Sequence, residues 1–403
     1  MKLMPVAEAL NNVLSGVMPL GPEQVGLRFA LGRTLAHELS AAVTHPPFDA
    51  SAMDGYAVRT SDFTDGKATL KLAGESAAGW PYGGTVRPGE AVRIFTGAAM
   101  PDGADAIVIQ EDVTSDGVTV SIPETPAAGT NVRRRGLDFH EGDIVLHRGK
   151  RLNARDILLA AASGHAMLAL NRRPVVAILA TGDELVEPSD RPTAGQIIAS
   201  NAYGLAALVQ AAGGTPKLLG IAMDTAGDLA RKIKDSDGAD ILVTIGGASV
   251  GDHDIVRPAL EAAGAQLLFY KIAMRPGKPT FFGTRRDTSG TQRIIGLPGN
   301  PLSAMISARL FLVPLIAAML GKKSQDKTLS AELTIAVPEN GIRDHYMRAT
   351  LDTTTSPPRV TPLGTQDSAL VTILAAANAL IIVPAGAPAQ GAGSSVKVLP
   401  LDF

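Results

Sequence analysis

Cysteine is absent from the 403 residues. Its absence excludes disulfides, a thiolate nucleophile and any sulfur ligand supplied by the protein to a metal. A broad field of one charge is also missing. The chain has 37 Lys and Arg against 39 Asp and Glu, for a net charge of −2. Nothing in that balance recruits nucleic acid. No uninterrupted apolar run reaches the roughly 18 residues of a membrane span, and the N-terminus has no basic stretch followed by an apolar one. The expectation is a soluble, cytoplasmic protein with no membrane and no nucleic-acid partner. The one dense positive run, Arg133-Arg134-Arg135, reads first as a solvated loop.

Four regions follow from the patterning. Val6, Leu10, Val13, Leu14 and Val17 share one helical face, so the chain opens with an amphipathic helix. A second short helix is expected around Leu31 to Glu38, and another over Arg155 to Ser163. Residues 1–45 and 139–172 are predicted to form one helical N-terminal and linker domain. Within it, residues 46–138 carry short strands between Gly, Pro and Asp turns, which predicts a β-rich insert. From 173 to 322, apolar β-branched runs alternate with helical stretches. That alternation predicts an α/β domain with a mainly parallel sheet. Residues 323–403 alternate short strands with turns and predict a small C-terminal β domain.

The richest segment is Ile245-Gly246-Gly247-Ala248-Ser249-Val250-Gly251-Asp252-His253-Asp254. It joins a buried strand to a helix N-terminus through glycines. Backbone N–H groups and the helix dipole favour an anion there, and carboxylates beside a phosphate imply a bridging cation. Three more motifs follow strands of the same domain. Thr181-Gly182-Asp183-Glu184 offers two carboxylates. Arg275-Pro276-Gly277-Lys278-Pro279 holds two cations on a stiff loop, suited to a tetrahedral oxyanion. Pro298-Gly299-Asn300-Pro301-Leu302-Ser303 opens a helix, with Asn300 placed to cap it. Loops at the carboxyl ends of strands converge in such folds, so these motifs and Asp224 should meet.

Together the motifs resemble the molybdopterin molybdenumtransferase family, which includes bacterial MoeA proteins and the E domains of gephyrin and plant Cnx proteins. Pro47-Phe48-Asp49-Ala50-Ser51-Ala52-Met53-Asp54-Gly55-Tyr56-Ala57-Val58 is similar to the family's N-terminal signature. Arg93 to Ala98 and Asn131 to Asp138 match as well. The resemblance spans nearly the whole chain and is weakest after Thr328. It implies a multidomain fold whose α/β domain is like that of MoaB and MogA. It also implies insertion of molybdate into adenylylated molybdopterin, with Mg²⁺-dependent release of AMP. The substrate would bring the dithiolene sulfurs that this chain lacks.

By motif position, the resemblance assigns functional roles to Asp54, Thr96, Asp138, Glu184, Asp224 and Asp254. Glu184, Asp254 and Asp224 would hold magnesium. Gly246, Gly247, Ser249, Gly251, Pro298 and Pro301 would face the substrate phosphates. Lys271, Arg275, Lys278, Ser303, Arg348 and Ser368 would hold molybdate. It further implies a homodimer with an active site across subunits, receipt of substrate from a separate adenylyltransferase and handover to molybdoenzymes. Met53 and Tyr56 read as packing residues. Two departures stand out: Arg275 where the family often has Lys, and Asp367, an extra carboxylate beside the expected dianion pocket. A molybdopterin adenylyltransferase and a non-catalytic, gephyrin-like scaffold are the competing readings.

Overall fold

The computed structural model describes residues 3–247, 255–287, 290–322 and 328–401. Ser249, Gly251 and Asp254 therefore lie outside the described residues. The chain divides into two compact units. One comprises Met1–Glu23, Gly32–Ala36 and Leu170–Phe403; the other comprises Gln24–Leu31 and His37–Ala169.

The larger unit is built on a six-stranded sheet in the order Thr215–Ala222, Val175–Thr181, Ile241–Ile245, Gly290–Leu297, Phe281–Asp287, Gln266–Phe269. The first four strands are parallel and the last two antiparallel. Every residue of Ile241–Ile245 is buried. Such continuous burial is what a parallel strand covered on both faces requires. The alternation of side chains then sorts neighbours to opposite cores. Val176, Ile178, Ile241, Val243 and Ile245 face the helices Asn201–Ala212 and Pro301–Met319. Ala177, Leu179 and Leu242 face the helices Ala226–Asp235 and Val256–Ala262.

The opening helix, Val6–Leu14, also belongs to this unit. Its apolar stripe of Val6, Ala9 and Val13 packs into the first of these cores. Helix Ala154–Ala162 lies in the other unit, so the two helices do not share a core as the sequence reading supposed. Nor does Leu31 to Glu38 form a helix. Gly32 takes φ +72°, and Leu35 then bridges Leu170 in strand fashion.

Helix Pro301–Met319 is long and apolar enough to cross a membrane, yet 72 % of its apolar window is buried inside the protein. It widens to a π segment over Ala308–Leu312 before Val313–Met319. Pro314 accounts for this, because it has no N–H to donate and its ring crowds the carbonyl four residues back.

In the same unit, Asp344–Asp352, Arg359–Pro362, Leu329–Leu333, Ser395–Pro400 and Ala379–Val383 pair in sequence. Asp344–Asp352 also pairs with Ala379–Val383, which closes a small barrel around Met347, Ala349, Val360, Ile381 and Val398. The two-residue strand Met274–Arg275 adds to it, with Arg275 opposite His345.

The other unit has its own six-stranded sheet, ordered Ala106–Ile109, Gly55–Val58, Glu90–Ile94, Ala68–Ser76, Thr119–Ile122, Thr114–Ser115. Gly55 must be glycine, because a Cβ there would overlap the Val108 carbonyl of the neighbouring strand. After Ser76, Ala77 and Trp80 exchange both backbone hydrogen bonds across a tight turn. Trp80, the sole tryptophan, stands 81 % exposed at its tip.

Candidate functional site

The carboxyl ends of the parallel strands open into a cleft of about 710 Å³. Its lining includes Glu184 and Asp224, Gly246 and Gly247, and Pro298 to Pro301, with Asn201 and Ala369 at its sides. Each arrives for a local reason. Gly182, at φ +145°, turns the chain after strand Val175–Thr181, and the space a Cβ would fill is occupied by the Glu184 carboxylate. The Asp183 carboxylate accepts the Asp224 N–H at 2.9 Å and ties the two acidic loops together. Thr225 caps helix Ala226–Asp235 just beyond.

Gly246 and Gly247 have consecutive positive φ values, +89° and +62°. A Cβ on Gly246 would come within 2.6 Å of the Thr181 carbonyl, and one on Gly247 would overlap Val256. The Gly246 N–H donates to Leu297 and extends the sheet. These glycines thus serve close packing of strand, turn and helix. Of their two N–H groups, only that of Gly247 has no backbone acceptor among the described residues.

The turn after strand Gly290–Leu297 is gripped from two sides. Asn201 Nδ2 donates to the Gly299 carbonyl at 2.6 Å. Asn300 does not cap its helix; its Nδ2 donates to Ser368 Oγ at 2.9 Å instead. The Leu302 N–H donates to the Ser368 carbonyl at 3.3 Å. Sequence reasoning missed Asn201 and this use of Asn300, since a lone asparagine near a helix start signals only a cap.

Arg348 is 1 % exposed. Its Nη1 and Nη2 donate to the Asp367 and Thr365 carbonyls at 2.7 and 3.1 Å. Its Nε is buried with no hydrogen-bond partner among the described residues. Asp367, the extra carboxylate, folds back onto the Ala369 N–H at 2.9 Å and acts electrostatically on Arg348. It therefore has its own partners within the turn. Burial, followed by the charges of Arg275, Arg348 and Arg343, pushes His345 down to about 4. That set of guanidinium groups marks the edge of the barrel as strongly cationic.

Ser303 is buried in the first turn of its helix, while Arg275 and Lys278 are exposed and Lys271 is half-buried. Of the cationic loop, Pro279 lines the cleft. The structure thus gathers Glu184, Asp224, Gly246, Gly247, Pro298 and Pro301 in one cleft. It links Arg348, Ser368 and Asn300 beside that cleft.

The other unit holds Asp54 and Thr96. Asp54 Oδ1 accepts both the Thr96 N–H and the Thr96 hydroxyl, each at 2.8 Å. These two bonds, then the charge of Arg93, hold the exposed carboxyl below its usual range. Arg93 is itself fixed between the rings of Tyr56 and Phe95, at 4.8 and 5.0 Å. Oδ2 of Asp54 remains available. Asp138 is exposed, and its N–H donates to the His45 carbonyl. No hydrogen bond joins it to Asp54 or Thr96 among the described residues.

The Arg133–Arg135 run is a strap. Arg134 Nη1 pairs with Asp49 at 2.6 Å, and the Arg135 N–H donates to the same carboxylate. A more open hollow of about 1220 Å³ in this unit is lined by Asp65, Glu111, Asp112 and Glu124, with Met53 and Asn131. It is larger, but the smaller cleft holds the convergent strand ends and polar groups that mark a ligand site.

No cluster of three His, Cys, Asp or Glu side chains stands ready for a metal among the described residues. Glu184 and Asp224 supply two carboxylates at the cleft, a hard oxygen set that suits Mg²⁺ when phosphates and water complete the shell.

The profiles of the MoeA N-terminal region (domains I and II), a probable molybdopterin binding domain and the MoeA C-terminal region (domain IV) match residues 4–164, 177–318 and 330–401. A molybdopterin molybdenumtransferase of Nostoc sp. is 36% identical over 413 residues, covering 99% of this chain and 94% of that protein. The chain belongs to the MoeA family. A second member, the molybdopterin molybdenumtransferase of Haemophilus influenzae, is 38% identical and covers 77% of this chain and 76% of its own. A MoeA structure from Pyrococcus horikoshii has a TM-score of 0.82 at 27% identity, covering 98% of this chain and 99% of that one.

Proposed function

We propose that the chain is a molybdopterin molybdenumtransferase that inserts molybdate into adenylylated molybdopterin and releases AMP. The observation that carries this reading is the pairing of an acidic, glycine-rich cleft with a buried arginine loop docked at its rim. The cleft suits the phosphates of an adenylylated pterin. The Arg348 Nε, buried without a partner, is the kind of donor a bound oxyanion would satisfy.

In this reading Glu184 and Asp224, with Asp254, would hold Mg²⁺, which when bound supplies positive charge to offset the phosphates. Gly247 and the Pro298–Pro301 turn, with Gly246, Ser249 and Gly251, shape the phosphate side. Arg275, Lys278, Lys271, Ser303, Arg348 and Ser368 form the molybdate side. Asp54, ionised and oriented by Thr96, keeps one oxygen free to accept a proton or a hydrogen bond from the reacting groups. Asp138 completes the acidic set. Asp54, Thr96 and Asp138 of one protomer would serve the cleft of its partner in a cytoplasmic homodimer. Substrate would arrive from an adenylyltransferase, and product would pass to molybdoenzymes.

The test is reconstitution. Purified protein given adenylylated molybdopterin, molybdate and Mg²⁺ should release AMP and yield a cofactor that activates an apo-molybdoenzyme. Glu184→Ala should lower that rate by at least about a hundredfold, the scale of losing an electrostatic partner of the reacting phosphates. Formation of the adenylate from ATP and pterin in place of AMP release would overturn the reading, as would full activity in Glu184→Ala.

A further inference from the structure

The cations of the Arg275–Pro279 loop do not hold the loop in place. Arg275 and Lys278 point to exposed positions. The anchor is the next residue along, Thr280, which is 1 % exposed. Its Oγ1 lies 2.8 Å from the Gly277 carbonyl and 2.9 Å from Ser307 Oγ. A hydroxyl has one hydrogen, so Thr280 serves the carbonyl and the Ser307 hydroxyl completes the second bond. The Thr280 N–H also donates to the Gly277 carbonyl. Gly277, at φ +107°, sits so close to helix Pro301–Ser307 that a Cβ would come within 2.6 Å of Ser307 Oγ. The loop is therefore seated on the helix with no slack.

The place of this seat matters. Ser307 is fully buried at the last position of the helix. Ser303, four residues earlier, lies on the same helical face. Asn300, at the start of the helix, bridges to Ser368 on the Arg348 loop. One short helix thus carries the cationic loop at one end and the arginine-bound loop at the other, with Ser303 between them. Neither Thr280 nor Ser307 lines the cleft, though Pro279 does.

We propose that Thr280 and Ser307 are positioning residues that fix the spacing between the Arg275 and Lys278 cations and the Arg348–Ser368 loop. That spacing would set the size of tetrahedral oxyanion the pocket accepts and favour molybdate over the smaller sulfate. The inference rests on the oxyanion pocket of the proposed function. A buried hydroxyl pair is suited to the task, since losing either partner leaves the other unsatisfied and frees the loop. The donors that touch the anion are unchanged, so chemistry at saturating molybdate should be preserved.

The experiment uses the full chain with Thr280→Val, Ser307→Ala and Thr280→Ser. Thr280→Val and Ser307→Ala should raise the KM for molybdate about tenfold, the scale of one buried hydrogen bond, with kcat within about twofold. Sulfate should become a relatively stronger competitor, and Thr280→Ser should restore wild-type discrimination. Equilibrium dialysis with molybdate alone should show the same loss of affinity without turnover. Ser307→Ala adds no volume and carries the test should Thr280→Val fail to fold. Unchanged KM and sulfate competition in Ser307→Ala would overturn the proposal, as would a fall in kcat with KM unmoved. Wild-type protein that binds no molybdate in dialysis would instead overturn the pocket on which it rests.

Discussion

Burial and three neighbouring guanidinium groups keep His345 neutral, and this makes stability depend on pH. Its pKa falls from an ordinary 6.5 to about 4 on folding. Between those values the unfolded chain binds a proton that the folded chain refuses. Stability should therefore fall as pH drops from 6.5 toward 4, by up to about 1.4 kcal/mol per pH unit from this group. Urea unfolding of wild type and His345→Gln across that window checks it; the variant should lose less stability on acidification. The sequence offered no route to this residue, because its role follows from Arg275 standing opposite it across two short strands. Asp54 was legible from its signature motif, but its double bond to Thr96 depends on a partner 42 residues away. Asp367 seemed a threat to the anion pocket until the turn that engages it came into view.

Among the elements, the parallel strands were the easiest to foresee. Val175–Thr181 and Ile241–Ile245 are apolar throughout, and continuous burial leaves few other places for such runs. Leu31 to Glu38 misled because its apolar spacing suits a helix, while Gly32 and the pairing with Leu170 impose an extended path. Helix Ala154–Ala162 was foreseen to within a residue. Its start rests on a reciprocal cap in which Asn153 accepts the Arg155 and Asp156 N–H groups and Asp156 returns to the Asn153 N–H. Asn153→Ala should cost about 1 kcal/mol in chemical unfolding of the unit that holds it. Asn153→Asp, which keeps an acceptor, should cost less.

For the molecule as a whole, the family and the strand–helix alternation could be read from motifs, whereas the split of the chain into two compact units could not. The helix at the N-terminus joins a core formed by residues more than 160 positions later, and no local pattern encodes that choice. The proposed dimer has a whole-molecule test. Co-assembled Asp54→Ala and Glu184→Ala protomers, each inactive alone, should recover about a quarter of wild-type activity if a site draws on both protomers, because random pairing leaves one intact site in each mixed dimer. No recovery would place both residues in the same protomer's site.

The lone indole of Trp80 stands in water at the tip of a turn. Its emission in the native state should already resemble that of the free amino acid. Unfolding of the larger unit, which has no tryptophan, would then pass unseen by intrinsic fluorescence. A reporter introduced at a core position such as Phe311 would make that unit optically visible, against a background in which almost nothing else shines.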